Sequence, residues 1–128
     1  MFLLDTNVCI DFLLQPNERL IARVDANYGR LAVSTITIAE LRVGKRTSTD
    51  PIGDEQRLNT FLSGIEVRDF DAAAASEYGN LVRSTGIDRK SFDRLISAHA
   101  VALNWPLVTN NAKDFPDFPG LKVENWTI

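Results

Sequence analysis

Apolar residues in this chain follow two rhythms that alternate along its length. Short apolar runs, too brief for a helix, read as buried strands: Phe2-Leu3-Leu4, Leu31-Ala32-Val33-Ser34 and Pro106-Leu107-Val108-Thr109. Ile65-Glu66-Val67-Arg68 alternates as a further strand, and Leu121-Lys122-Val123 reads as a strand at a sheet edge. Between these runs the apolar positions recur at helical spacing. Val8 to Leu14, apolar apart from Asp11, predicts a helix covered on most sides, by the core or by a second copy of the chain. Leu20, Ile21 and Val24 form the inner stripe of a second helix that ends near Gly29. Ile36, Ala39 and Val43 mark a third over 36–43, and Leu58, Phe61 and Leu62 a fourth. Asp71 caps a helix with Ala74, Tyr78, Leu81 and Val82 inward, closed by Gly86. Ser91 opens another, with Phe92, Leu95, Ile96, His99 and Leu103 inward. Residues 44–54, rich in turn formers, read as a loop inserted within the domain.

Strand and helix in alternation predict an α/β fold: a central, mostly parallel sheet of four to five strands with helices on both faces. At 128 residues the expectation is a single domain over 1–128. The formal net charge of −3 gives no support for nucleic-acid binding, so a polyanionic partner must be met by local basic residues or by metal ions. Cys9 is the only cysteine, which excludes an intramolecular disulfide and a thiolate metal cluster. Met1 leads into the first strand without a basic n-region, and no apolar run approaches the roughly 20 residues that span a bilayer. The expected location is cytoplasmic, with no membrane partner.

In a parallel sheet the carboxyl ends of the strands and the amino ends of the crossover helices share one rim, where ligands bind. Asp5 follows the first strand directly. Glu40 lies in the first turns of the helix after the second strand, Asp93 in the first turn of the helix that feeds the fourth, and Asp114 shortly beyond Thr109. Four separate segments thus bring carboxylates to one edge. Such a group repels itself unless a cation compensates it. Oxygen ligands without histidine or thiolate suit Mg²⁺ or Mn²⁺. A pair of such ions is a known means of phosphodiester hydrolysis and needs neither a histidine nor a covalent nucleophile.

Taken singly, each acid has a plainer reading, and locally the plainer one leads. Asp5 suits a helix N-cap. Thr37-Ile38-Ala39-Glu40 fits a capping box, in which Glu40 bonds back to the helix start. Asp93 complements a helix dipole, and Asp114 sits in a polar loop. Only their joint placement is specific. His99, on an apolar stripe, reads as a hydrogen-bonded core residue rather than a catalytic one, and Cys9 as packing. Thr6, Asn7, Ser34, Thr109 and Asn110 are candidates for supporting hydrogen bonds at the acids. Arg42, Lys45, Arg46, Arg83, Arg89, Lys90, Arg94 and Lys113 are candidates for a phosphate path, against the plainer reading of a solvated face.

With these residues in place, nearly the whole chain resembles the PIN-domain ribonucleases of the VapC toxin type. Leu3-Leu4-Asp5-Thr6-Asn7 resembles the opening motif of that family, and Ser34-Thr35-Ile36-Thr37-Ile38-Ala39-Glu40-Leu41 its second. Asp93-Arg94-Leu95-Ile96-Ser97-Ala98-His99-Ala100 is similar to the third. The stretches 107–115 and 119–126 resemble the family's ending. The resemblance implies a three-layer α/β/α sandwich and a Mg²⁺- or Mn²⁺-dependent endoribonuclease acting as the toxin of a toxin–antitoxin pair. It carries over Asp5, Glu40 and Asp93 as the acidic, metal-binding site. Many relatives hold an acid at the position of Asn111, so Asp114 is the candidate for the fourth catalytic acid; Arg94 replaces a residue usually apolar. The resemblance further implies a homodimer, inhibition by a VapB-type antitoxin gripped by the helices flanking 44–54, contact with operator DNA only through that antitoxin, and RNA substrates such as tRNA. Products would carry 5′-phosphate and 3′-hydroxyl ends. The alternative is a PIN-fold module that binds protein or RNA without catalysis. A phosphatase with Asp5 as nucleophile would want an aspartate where this chain has Asn7.

Overall fold

The computed structural model describes residues 1–44, 48–86, 91–112 and 118–128. The strands are β1 (Phe2–Leu4), β2 (Leu31–Ser34), β3 (Glu66–Arg68), β4 (Leu107–Val108) and β5 (Val123–Glu124). The helices are α1 (Thr6–Leu14), α2 (Glu18–Ala26), α3 (Thr35–Val43), α4 (Pro51–Ser63), α5 (Ala72–Thr85) and α6 (Phe92–Leu103). The sheet runs β3-β2-β1-β4-β5, and every neighbouring pair is parallel. The expected mostly parallel sheet is therefore parallel at each described pairing.

The pleat of the strands creates the layers. Leu4, Val33 and Val108 point to one face, where they pack with Val8, Cys9, Leu20 and Val24 from α1 and α2. Leu3, Ala32 and Leu107 point to the other, against Leu81 of α5 and Ile96, Ala98 and Ala100 of α6. The chain winds outward from β1 to β2 and β3, then returns to place β4 on the other side of β1. That reversal makes the β1–β4 crevice, at the carboxyl ends of the strands, the topological switch point at which such sheets bind ligands.

Several elements differ from the pattern read off the sequence. Helix α4 begins at Pro51, inside the stretch expected to be loop, because Asp50 caps it by accepting from the Gly53 amide at 3.1 Å and proline is well placed in a first turn. The fifth strand is Val123–Glu124 rather than 121–123, since the parallel ladder sets Val123 opposite Leu107. Ile21, Ala39, Val43 and Phe92, expected inward, are exposed. In α3 the inward face carries buried Thr37 with Ile38 and Leu41 packed against the core, so a polar residue at the centre of the stripe hid its true direction. Gly86 closes α5 as expected, in the left-handed conformation (φ 66°) that glycine adopts without strain. No helix among the described residues is long and apolar enough to cross a membrane.

Candidate active site

Register places the first two components of the site. Leu4 pairs with Val108, so the next residues, Asp5 and Thr109, emerge side by side at the switch point. The Asp5 amide donates to Val108 O at 2.9 Å. Pleating turns both side chains toward the α5–α6 layer, and Thr109 Oγ1 donates to Asp5 Oδ2 at 2.7 Å. Although Asp5 occupies the N-cap position of α1, its carboxylate makes no capping bond. It is 1% exposed, and Oδ1 is buried without a hydrogen-bond partner. Burial, with the Asp93 charge in the same direction, pushes Asp5 from 3.8 up to about 6, against the pull of the Thr109 bond and the amides of Thr6 and Asn7.

Glu40 reaches the same rim from α3. The capping-box reading fails: Ser34 is the N-cap and accepts from the Ile36 amide at 3.1 Å, which places Glu40 beyond the first turn. Glu40 Oε1 instead accepts from Thr6 Oγ1 at 2.7 Å, and Thr37 Oγ1 lies 3.2 Å from the same hydroxyl. Burial, then the charge of Asp93, raises the Glu40 carboxyl above its ordinary value, while the Thr6 bond lowers it. Asp93, half-buried at the start of α6, is thus close enough to act on both other acids. Asp93 also sits in the first turn of α6, where its charge complements the helix dipole, while Ser91 caps the helix by accepting from the Arg94 amide at 3.3 Å.

The remaining candidates divide. Thr6 donates to Glu40 and Thr109 donates to Asp5. Asn7 is half-buried beside Thr6. Asn110 turns away, donating through Nδ2 to Asp11 of α1, because the residue after Thr109 points to the opposite side of the chain. Arg42 donates to Asn59 Oδ1 at 2.8 Å, and the Arg94 guanidinium lies 5.3 Å over the Phe118 ring, so both are engaged within the protein. Asp114, Lys45, Arg46, Arg89, Lys90 and Lys113 lie outside the described residues. Cys9 is fully buried, and burial with the Asp5 charge holds its thiol protonated, as a packing residue. His99 is a hydrogen-bonded core residue, 1% exposed, with Nδ1 2.9 Å from Ser34 Oγ. Thr37, wholly buried between Thr6 and the core, was missed as a support; its position three residues before Glu40, on the same helix face, is the signal that pointed to it.

Among the described residues no group of three or more carboxylate, imidazole or thiol side chains stands close enough to enclose a cation unaided. A buried carboxylate oxygen with no donor, within reach of the Asp93 charge, nevertheless fits Mg²⁺. That ion keeps several of its waters and is commonly held by only one or two carboxylates. An apolar groove of about 380 Å³ opens beside the acids, lined by Ile10, Leu13 and Leu14 of α1, Glu40 and Leu41 of α3, and Leu58 of α4.

A family model described as the PIN domain matches residues 2–121. The chain is 34% identical to Ribonuclease VapC2 of Rickettsia felis, over 98% of each chain. It is 33% identical to the tRNA(fMet)-specific endonuclease VapC of Shigella flexneri, again over 98% of each. Among solved structures it is similar to the VapBC2 complex of Rickettsia felis bound to a promoter DNA fragment, with a TM-score of 0.87, 33% identity and 98% of each chain covered.

Proposed function

The chain belongs to the PIN-domain family, among its VapC-type ribonucleases, and from that premise we propose that it is a metal-dependent endoribonuclease held in check by a VapB-type antitoxin. The observation that carries the metal dependence is the Asp5 carboxylate, buried with one oxygen unpaired and within reach of the Asp93 charge, which also acts on Glu40. Asp5, Glu40 and Asp93 would hold Mg²⁺ or Mn²⁺. Such an ion, when bound, activates water and stabilises charge at the phosphate. Thr109 fixes one oxygen of Asp5, and Thr6 fixes one oxygen of Glu40, so each acid keeps its other oxygen for the cation. Asp114 is the proposed fourth acid. Arg42, Lys45, Arg89, Lys90 and Arg94 are the proposed phosphate contacts, with Arg42 and Arg94 first leaving their present partners. Hydrolysis assisted in this way leaves 5′-phosphate and 3′-hydroxyl ends. The relative named for tRNA(fMet) makes tRNA the first substrate to try.

The test is direct. Protein freed of any partner should cut RNA with Mg²⁺ or Mn²⁺ and stop when chelator is added. Cleavage that persists in chelator would remove the metal from the reading. The alternative, a PIN-fold module that binds without cutting, is favoured by one observation: no three described ligands converge on a cation site. Calorimetric titration with Mn²⁺ separates the two, because the module has no reason to bind it at this rim.

For the antitoxin, the apolar groove between α1, α3 and α4 is the surface we assign from its exposed leucine and isoleucine side chains, while the solved VapBC complexes similar to this chain support the kind of partner. Leu14 is 49% exposed in that groove, so charging it has little effect on folding. Leu14→Asp should weaken antitoxin binding by about 10- to 100-fold, as expected for burying an unpaired charge in an apolar contact. An unchanged affinity by surface plasmon resonance would place the antitoxin elsewhere. A homodimer and contact with operator DNA only through the antitoxin complete the proposal, on the same family likeness.

A further inference from the structure

His99 is the only histidine, and the proposed chemistry gives it no part. Burial is the largest influence on its imidazole and lowers its pKa; Arg68 adds to this, while Asp71 and Asp69 oppose it. The ring is therefore neutral near pH 7. Its edge rests on Phe70, with centroids 5.6 Å apart. Ser34 Oγ already accepts from the Ile36 amide, so its proton is available to His99 Nδ1 at 2.9 Å. This hydrogen bond is buried and spans 65 residues.

What it joins gives it meaning. Ser34 ends β2 and caps α3, and Glu40 stands six residues further along that helix. His99 stands six residues beyond Asp93 on α6. Six helical residues rise about 9 Å. Two arms of similar length therefore run from one polar joint, each ending in an acid of the site. We propose that the Ser34–His99 hydrogen bond is a positioning brace that sets the separation of the Glu40 and Asp93 carboxylates and so tunes the affinity of the acidic rim for a divalent cation. The proposal rests on the metal-binding reading above. An apolar side chain could fill the same volume, but it could not hold α6 at one register against the head of α3, because packing tolerates small slides that a directional bond does not.

The test uses the full chain, freed of partner, and reads Mn²⁺ affinity by calorimetry. His99→Leu removes the acceptor, Ser34→Ala removes the donor, and His99→Asn places an amide oxygen where Nδ1 stood. His99→Leu and Ser34→Ala should each weaken Mn²⁺ binding by about 10-fold, the lower end of the effect of losing a group bonded directly to a metal ligand, because this bond acts on the ligands through two helices. His99→Asn should stay within about threefold of wild type, and the double variant should be no weaker than the weaker single one. Wild-type affinity in folded Ser34→Ala, or losses that multiply in the double variant, would overturn the brace. Should His99→Leu not fold, Ser34→Ala and His99→Asn make the same comparison. A wild-type chain that binds no Mn²⁺ would overturn the metal reading and the brace together, whereas wild-type binding with unchanged variants overturns the brace alone.

Discussion

Replacing Asp5 by asparagine should abolish RNA cleavage and, at the same time, make the metal-free protein more stable at pH 8. The two effects share one cause. An acid whose folded pKa lies at about 6, against 3.8 for the free group, is ionised in the folded state only at a cost. A gap of roughly two units corresponds to about 3 kcal/mol. The sign follows from the direction of the shift. Below pH 3.8 the carboxyl is protonated in both states and there is no penalty. As pH rises the unfolded chain releases its proton first, and the penalty is complete once the pH has passed the folded value near 6. Asparagine never ionises, and its amide can still meet Thr109 Oγ1. Urea unfolding in chelator should therefore show Asp5→Asn gaining on wild type by about 2 kcal/mol between pH 4 and pH 8, to an advantage of about 1–3 kcal/mol at pH 8; a poorly paired amide group lowers the variant equally at both pH values and sets the lower figure. Excess Mn²⁺ should stabilise wild type and leave the variant unmoved. Cleavage should fall by at least about a thousandfold, since a metal site supplies several kcal/mol to the transition state. A variant less stable than wild type at pH 8, or one that still cuts RNA, would refute the account.

The sequence showed which residues reach the rim more clearly than how each is held there. Asp5 could be placed because an apolar run too short for a helix ends in a carboxylate, and the observed register sets it at the switch point. Glu40 was misread locally. Thr-x-x-Glu is a real capping signal, but Ser34 one strand-end earlier satisfies the same helix, which releases Glu40 to Thr6, 34 residues away in sequence. Local pattern has no access to a contact of that range. Asn110 shows the converse error: its polarity and position suggested the acids, while the alternation of an extended chain sends it to Asp11. For Glu40 the family resemblance weighed against the capping reading because it compares several segments at once.

The outward-facing apolar residues teach something different. Val43 and Ile52 are each more than two-thirds exposed, and Ile10 and Leu14 of α1 lie over the groove. Reading the spacing of Val43 as a core contact assumed that every apolar stripe faces inward. A chain that binds an apolar partner must break that assumption on one face. The run 8–14, apolar apart from Asp11, already pointed to cover by the core or by a second copy of the chain, since a helix covered on most sides needs more cover than one sheet provides.

Trp126→Ala should be the most damaging single truncation away from the acids, lowering stability by about 3–5 kcal/mol. Trp126 is 1% exposed although it lies two residues from the described end of the chain. Its ring meets the edge of Phe2 at 5.1 Å and 68°, and its Nε1 donates to Glu124 Oε1 at 3.2 Å. Arg23 lies 5.9 Å over Trp126, and Arg30 lies 5.5 Å over Phe2, so two guanidinium groups close the stack. The indole therefore fills the core on the α1–α2 face and ties the chain's last turn to the start of β1. Against a total stability of about 5–15 kcal/mol for an ordinary domain, the loss should lower the melting temperature by roughly 10–20 °C. Trp126→Phe keeps the ring contact but loses the Glu124 bond and part of the volume, and should cost about 1–2 kcal/mol. Phe2 stands at the opposite end of β1 from Asp5, so folded Trp126→Ala at low temperature should bind Mn²⁺ as wild type does. A melting temperature within about 3 °C of wild type would mean that the tail is not part of the core. A folded variant with weakened Mn²⁺ affinity would mean that this end of β1 is mechanically coupled to the rim, contrary to the separation argued here.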